Sequence, residues 1–295
     1  MFFGSADVYN NKEWDGATIY LIPTTHADPY WKGEWAGPNI GILHDNIMDA
    51  LEMIQFNPDF RYTVDQHSII STFIMEHPEY EDDLREAIVK GQIEVAGGGV
   101  SQADLNIPNG EGFIRNLLIG NQWFEDQFGV SVNVGWQVDT FGAAGTTPTI
   151  LSALDYKYLY FWRDARNRPS GAFWWVGPDG SRTLCWRTKY GRYPMTSVDL
   201  VGMVRNLIED EMADTLPSGT MMLHIGGDKA APHTHLMDYI QSWNVFYAEK
   251  TGYRCKVATP SEFFEAIEDE ASGLPSYGYG QDHNPYNESA YASYI

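Results

Sequence analysis

Ala17-Thr18-Ile19-Tyr20-Leu21-Ile22-Pro23, followed at once by Thr24-Thr25-His26-Ala27-Asp28-Pro29-Tyr30-Trp31, is the stretch on which the reading of this chain turns. The first seven residues are apolar, β-branched or aromatic and stop at a proline, the pattern of a short buried strand. Beyond it, His26 and Asp28 lie two apart in extended backbone and so share a face. Pro29 keeps Asp28 out of the helical region. Imidazole nitrogen beside carboxylate oxygen is a donor set that zinc accepts. A turn-capping aspartate beside a surface histidine has the same spelling, so the stretch alone leaves both readings open.

Outward from this strand, apolar and helical patterns alternate. Ile40, Leu43, Ile47, Leu51 and Ile54 recur at helical spacing over 38–54. A strand follows over 60–64, then a helical segment over 68–90 broken near His77-Pro78, and a strand over 91–96 that runs into Gly97-Gly98-Gly99. A helix over 110–128 closes at Gly129. The chain continues with a strand over 130–138, a helix over 147–154 and a strand over 158–162. Phe173-Trp174-Trp175-Val176 and Thr183-Leu184-Cys185-Trp186 flank Gly177-Pro178-Asp179-Gly180 and predict a hairpin. The rest alternates as a helix over 199–212, a strand over 220–225, a helix over 234–250, a strand over 254–257 and a last helix capped by Ser261. Regular alternation without a long linker predicts an α/β chain with one parallel sheet domain. Polar clusters fall just past several different strands: His26 with Asp28, Asp65 with His67, then Asp104, Asp139 and Asp228. Such a distribution favours a (β/α) barrel over an open sheet, because barrels gather a site from many strand ends.

The 295 residues suffice for a full core, and no apolar run approaches the roughly 18 needed to span a bilayer. A formal charge of −21 argues against nucleic acid or an anionic membrane as partner. Ten Trp and 18 Tyr offer flat apolar faces with polar handles, as a neutral carbohydrate requires. Cys185 and Cys255 fit neither a disulfide framework nor a zinc motif and are expected as reduced thiols. Met1-Phe2-Phe3-Gly4-Ser5 has no signal-peptide pattern, which predicts a cytoplasmic location.

Asp139 follows a strand and precedes Phe141-Gly142, either as a helix cap or as an exposed rim carboxylate. Asp228 follows Gly226-Gly227, which suits both a strand-to-helix loop and the close approach of a ligand. Two rim carboxylates with a His/Asp pair form a coherent hydrolase site; in a retaining glycosidase one carboxylate attacks and the other protonates.

His26-Ala27-Asp28-Pro29-Tyr30-Trp31, Gly97-Gly98-Gly99-Val100 leading to Asp104-Leu105-Asn106-Ile107-Pro108-Asn109-Gly110-Glu111, Trp136-Gln137-Val138-Asp139-Thr140-Phe141-Gly142, and Phe173-Trp174-Trp175-Val176-Gly177-Pro178-Asp179-Gly180-Ser181 together resemble the glycoside hydrolase family 38 α-mannosidases. The resemblance implies a parallel seven-stranded (β/α) barrel over 17–270, with an N-terminal extension over 1–16 and the start of a following helical region over 271–295. It implies a zinc-dependent retaining glycosidase that cleaves terminal α-mannosidic bonds through a covalent glycosyl-aspartate. Asp139 would be nucleophile and zinc ligand, His26 and Asp28 zinc ligands, Asp228 the acid/base, and Trp31 and Asp104 substrate-binding residues. The partner would be an α-mannoside or oligosaccharide, with homo-oligomerisation left open. The family has another His where Thr24 stands, often an aromatic where Gly99 stands, and a different loop around Asp228. Its fourth zinc ligand is a His beyond the barrel; His224, His233, His235 and His283 are the substitutes available here. The rival readings are a metal-dependent carbohydrate deacetylase on a related barrel and a non-catalytic sugar-binding domain.

Overall fold

The computed structural model describes residues 16–29, 38–163, 170–188, 191–209 and 216–279. Strand β1, Ala17–Pro23, lies at the centre of the first sheet, between β8 (Met221–Ile225) and β9 (Tyr253–Val257), and is parallel to both. Ile19, Leu21 and Ile22 are fully buried. A strand covered on both faces needs such a run rather than alternation. Burying each of these side chains stabilises the fold by about 1.5–3 kcal/mol, so Leu21→Ala removes a supporting contact at the base of the His26 turn.

The remaining strands are β2 (Tyr62–Val64), β3 (Ile93–Val95), β4 (Val134–Gln137), β5 (Tyr158–Phe161), β6 (Gly171–Val176), β7 (Arg182–Arg187) and the two-residue β10 (Ser276–Tyr277). β2 and β3 pair in parallel, as do β4, β5 and β7 in that order. β6 returns antiparallel to β7 through the expected hairpin. Its turn is closed by Gly180 N–H donating to the Gly177 carbonyl (3.1 Å) and by Asp179 Oδ1 accepting from the Thr149 hydroxyl (2.6 Å). β10 pairs in parallel with β6, so the chain stays attached to this sheet past residue 270.

Between strands run α1 (Pro38–Phe56), α2 (His67–Glu76), α3 (Glu81–Val89), α4 (Gly110–Phe128), α5 (Thr147–Ala153), α6 (Ser197–Leu207), α7 (Leu236–Phe246), the single turn α8 (Ala248–Thr251) and α9 (Pro260–Ile267). The α/β class is as expected. The continuous parallel barrel ladder is not: among the described residues the strands form a three-stranded, a five-stranded and a two-stranded sheet, one of them mixed. Single links join the pieces. Thr24 bridges Thr63 at the end of β1, and Gly97 N–H donates to the Val134 carbonyl between β3 and β4 (2.7 Å). β2 and β3, three residues each, pair fully with one another and meet their outer neighbours only through these links.

Two local expectations change. The last helix is capped by Thr259, not Ser261: Thr259 and Glu262 form a reciprocal capping box, with Pro260 at the first helical position. Ser261 is instead engaged by half-buried Glu94 on β3, which accepts from its N–H (2.9 Å) and its hydroxyl (2.8 Å). The helix expected over 234–250 is interrupted at Tyr247 between α7 and α8. Cys185 and Cys255 are buried free thiols, as expected. No helix among the described residues is long and apolar enough to cross a membrane.

Candidate functional site

The site begins where β1 ends. Thr25 anchors the turn: its hydroxyl donates to the Ala230 carbonyl (2.6 Å) and accepts from the Tyr62 hydroxyl (2.8 Å) and the Asn46 amide (3.1 Å). Asn39, at the start of α1, donates to the Asp28 carbonyl (2.7 Å). These bonds fix the backbone on both sides of His26, whose side chain is 4% exposed while that of Asp28 is 51% exposed. The shared face expected from the two-residue spacing is present, with His26 Nε2 3.4 Å from Asp28 Oδ1.

Asp139 joins them from the end of β4. One ligand atom from each of His26, Asp28 and Asp139 lies within 4.8 Å of the other two. Two donors about 2.0–2.1 Å from a tetrahedral zinc stand about 3.3–3.4 Å apart, the separation found for His26 and Asp28. One nitrogen and two carboxylate oxygens, one side chain buried and another open to solvent, fit a divalent ion that keeps an accessible position.

Asp228 arrives from the end of β8. Its backbone bridges His26 in parallel, with His26 N–H donating to the Gly227 carbonyl (3.3 Å) and Lys229 N–H to the His26 carbonyl (2.8 Å). Gly226 makes this approach possible. It adopts φ +121°, and a Cβ there would run into the Thr24 carbonyl. The Asp228 side chain is exposed beside His26. Asp104 is half-buried and accepts from Phe141 N–H (2.9 Å), which pins the loop carrying Asp139.

The electrostatics follow from this crowding. Burial pushes the His26 imidazole down, but Asp28, Asp65 and Asp139 together outweigh it and hold it above the usual histidine range. Asp28 is lowered, first by its bond to His26, with Arg163 and Lys229 adding to the effect. Burial raises Asp65 to about 6. Burial also raises Asp104, with the charges of Asp139 and Asp28 acting in the same direction. A group of acids whose charges oppose one another is the setting in which a bound cation gains most.

Arg163, just past β5, escaped the sequence reading. Its Nε contacts Asp139 Oδ1, and its guanidinium stacks over Phe141 (4.3 Å) and Trp162 (4.6 Å). The available signal was the one that marked the acids, a polar residue directly after a strand.

The other histidines go elsewhere. His67, half-buried, packs edge-on against Trp123, centroids 4.6 Å apart. His224 is fully buried, with Nδ1 2.9 Å from the Tyr160 hydroxyl, and burial lowers it to about 3. His233 and His235 lie beside Tyr239 at the start of α7, outside the group of ligand atoms around His26. Trp31 and His283 lie outside the described residues.

Residues 16–289 match the Glycosyl hydrolases family 38 N-terminal domain. A Saccharomyces cerevisiae protein named Alpha-mannosidase is 26% identical over 243 residues, which is 80% of this chain and 22% of the relative. Among solved structures, an alpha-mannosidase from Enterococcus faecalis V583 superposes with a TM-score of 0.76 at 20% identity, covering 89% of this chain and 30% of that one. A putative polysaccharide deacetylase from Mycobacterium smegmatis shares the fold more loosely, with a TM-score of 0.57 at 12% identity over 89% of this chain and 93% of its own. The chain thus spans under a third of the length of its mannosidase relatives. With the family domain matched over nearly its whole length, this chain belongs to glycosyl hydrolases family 38.

Proposed function

We propose that the chain is the catalytic domain of a zinc-dependent retaining α-mannosidase, with 17–270 as a seven-stranded (β/α) barrel. The observation that carries the reading is the convergence of His26, Asp28 and Asp139 within one ion's reach, with Asp228 entering from another strand. His26, Asp28 and Asp139 would hold the zinc, which would supply a Lewis acid for orienting and polarising hydroxyls of the mannose ring. Asp139 uses its carboxylate to attack the anomeric carbon, forming a glycosyl-aspartate ester while the glycosidic bond breaks. Asp228 gives its proton to the departing oxygen. Asp228 then takes a proton from water, whose oxygen attacks the same carbon and releases Asp139.

Arg163 holds the Asp139 carboxylate in place through its contact with Oδ1, and Asp104 fixes the backbone that presents it. Trp31 stacks on the apolar face of the sugar. The substrate is a terminal α-mannoside or an oligosaccharide that carries one. Hydrolysis of an aryl α-mannoside tests the reading: Asp139→Asn should cut it by on the order of 10³-fold or more. Retained hydrolysis in that variant removes Asp139 as nucleophile.

A metal-dependent deacetylase is the second reading, favoured by the His/Asp donor pair and by the shared fold with the deacetylase. Acetate released from an acetylated sugar with the glycosidic bond intact would decide for it.

A further inference from the structure

His44 sits on the inward face of α1, 1% exposed, among Ile40, Leu43 and Ile47. A ring so enclosed needs partners for both nitrogens. Nε2 lies 3.2 Å from the Thr72 hydroxyl oxygen. The Thr72 hydroxyl has one proton and two backbone carbonyls in reach, those of Ser68 (2.7 Å) and Ile69 (3.0 Å). With that proton on either carbonyl, Nε2–H is the donor to Thr72, and in the neutral ring the lone pair is on Nδ1.

That lone pair has no hydrogen-bond partner, yet Nδ1 stands 3.3 Å from Glu76 Oε2. A lone pair facing a carboxylate is repulsive unless a proton or a metal ion lies between them. A third donor is at hand. His77 crosses His44 at 88° with centroids 5.4 Å apart and packs against Phe73 at 5.3 Å, and ligand atoms of His44, Glu76 and His77 all lie within 4.8 Å of one another.

The 3.3 Å separation matches the about 3.3–3.4 Å expected of two donors on a tetrahedral zinc. Glu76 and His77 close the C-terminal end of α2, where the helix dipole favours a cation. Their side chains are 53% and 28% exposed, so an ion and a fourth, water ligand can enter from solvent. The cluster is separate from the His26 site: α2 starts directly after β2 and carries Glu76 about 13 Å along its axis.

We propose that His44, Glu76 and His77 form a second zinc site, which clamps α1 to the end of α2. Two imidazoles with one carboxylate favour zinc and its neighbours among the transition metals over magnesium or calcium. The site does not depend on the hydrolytic reading.

The test counts zinc per chain by elemental analysis after equilibration with buffered zinc, in the unaltered protein, in Asp139→Ala, in Glu76→Gln/His77→Ala and in the combination of all three. Asp139→Ala should keep one zinc, which the combined variant binds at least about 100-fold more weakly. Glu76→Gln/His77→Ala alone should retain hydrolysis of an aryl α-mannoside, while zinc no longer raises its unfolding midpoint through this site. As a readout independent of the triple variant, cobalt(II) in Asp139→Ala should give the visible bands of a tetrahedral N/O site, and these should vanish in Asp139→Ala/Glu76→Gln. Equal zinc in Asp139→Ala with and without the Glu76 and His77 changes would overturn the proposal, as would no zinc in Asp139→Ala.

Discussion

His26 at the end of β1 and His44 in α1 are nearly sealed from water, 4% and 1% exposed, and each faces a carboxylate at hydrogen-bonding range. Their surroundings differ. Around His26, Asp28, Asp65 and Asp139 raise the imidazole against the pull of burial. Around His44, one glutamate faces a second imidazole, burial prevails, and the ring is lowered. His224, fully buried beside a tyrosine hydroxyl, is lowered to about 3 by burial, with the charge of His26 acting in the same direction. Few charged groups stand near His44 beyond Glu76, whereas around His26 the strand ends also bring Asp104, Arg163 and Asp228.

The largest expected effect separates the two clusters. Asp139→Asn should lower aryl α-mannoside hydrolysis by on the order of 10³-fold, whereas Glu76→Gln/His77→Ala should leave kcat/KM within about twofold in the same assay. Equal losses would erase the distinction drawn between them.

Next is the division of labour at the rim. Asp228→Ala should slow substrates with poor leaving groups by about 10²–10³-fold and activated aryl mannosides far less, because protonation matters little when the leaving group is already acidic. Uniform losses across a leaving-group series would remove Asp228 from the acid/base role.

The titration contrast is smaller. The depressed folded-state value of His224, about 3 against an ordinary 6.5, means the unfolded chain binds the extra proton below pH 6.5. Its contribution to stability is therefore present above pH 6.5 and lost as pH falls toward 3, about 2 kcal/mol of it between pH 7 and pH 5. Urea melts of the metal-free protein at the two pH values check this. His224→Asn should show a pH slope reduced by that amount, and an unchanged slope would mean the ring does not stay neutral in the fold.

The smallest effect is a control at the foot of the sheet. Thr259→Ala should cost about 1 kcal/mol by removing the cap of α9, with zinc content unchanged. Ser261→Ala should act instead through the loss of its bond to Glu94, leaving the cap intact.

What could be read from the chain divides along the range of the interactions. The β1 turn was legible because strand period and Pro29 fix His26 and Asp28 locally, and the hairpin was legible because Pro178-Asp179-Gly180 carries its own turn chemistry. Thr259 and Ser261 are both good N-cap residues, and what distinguishes them is Glu94, 167 residues away. Arg163 was hidden because nothing local says that its guanidinium reaches Asp139. How the ladder divides was hidden, since pairing to both neighbours depends on register between distant segments rather than on composition. His44 gives no local sign of its partners, because Glu76 and His77 sit at the end of another helix.

Mechanism-based trapping tests the central assignment most directly. The protein is incubated with zinc and a 2-deoxy-2-fluoro-α-mannosyl fluoride, whose fluorine slows release of the sugar from the enzyme, and is then digested and sequenced by mass spectrometry. A single fluoromannosyl ester on Asp139, absent from Asp139→Asn, is the result expected of a retaining mannosidase built on this strand end. An ester on another carboxylate, or turnover with inversion at the anomeric carbon and no ester, would contradict it.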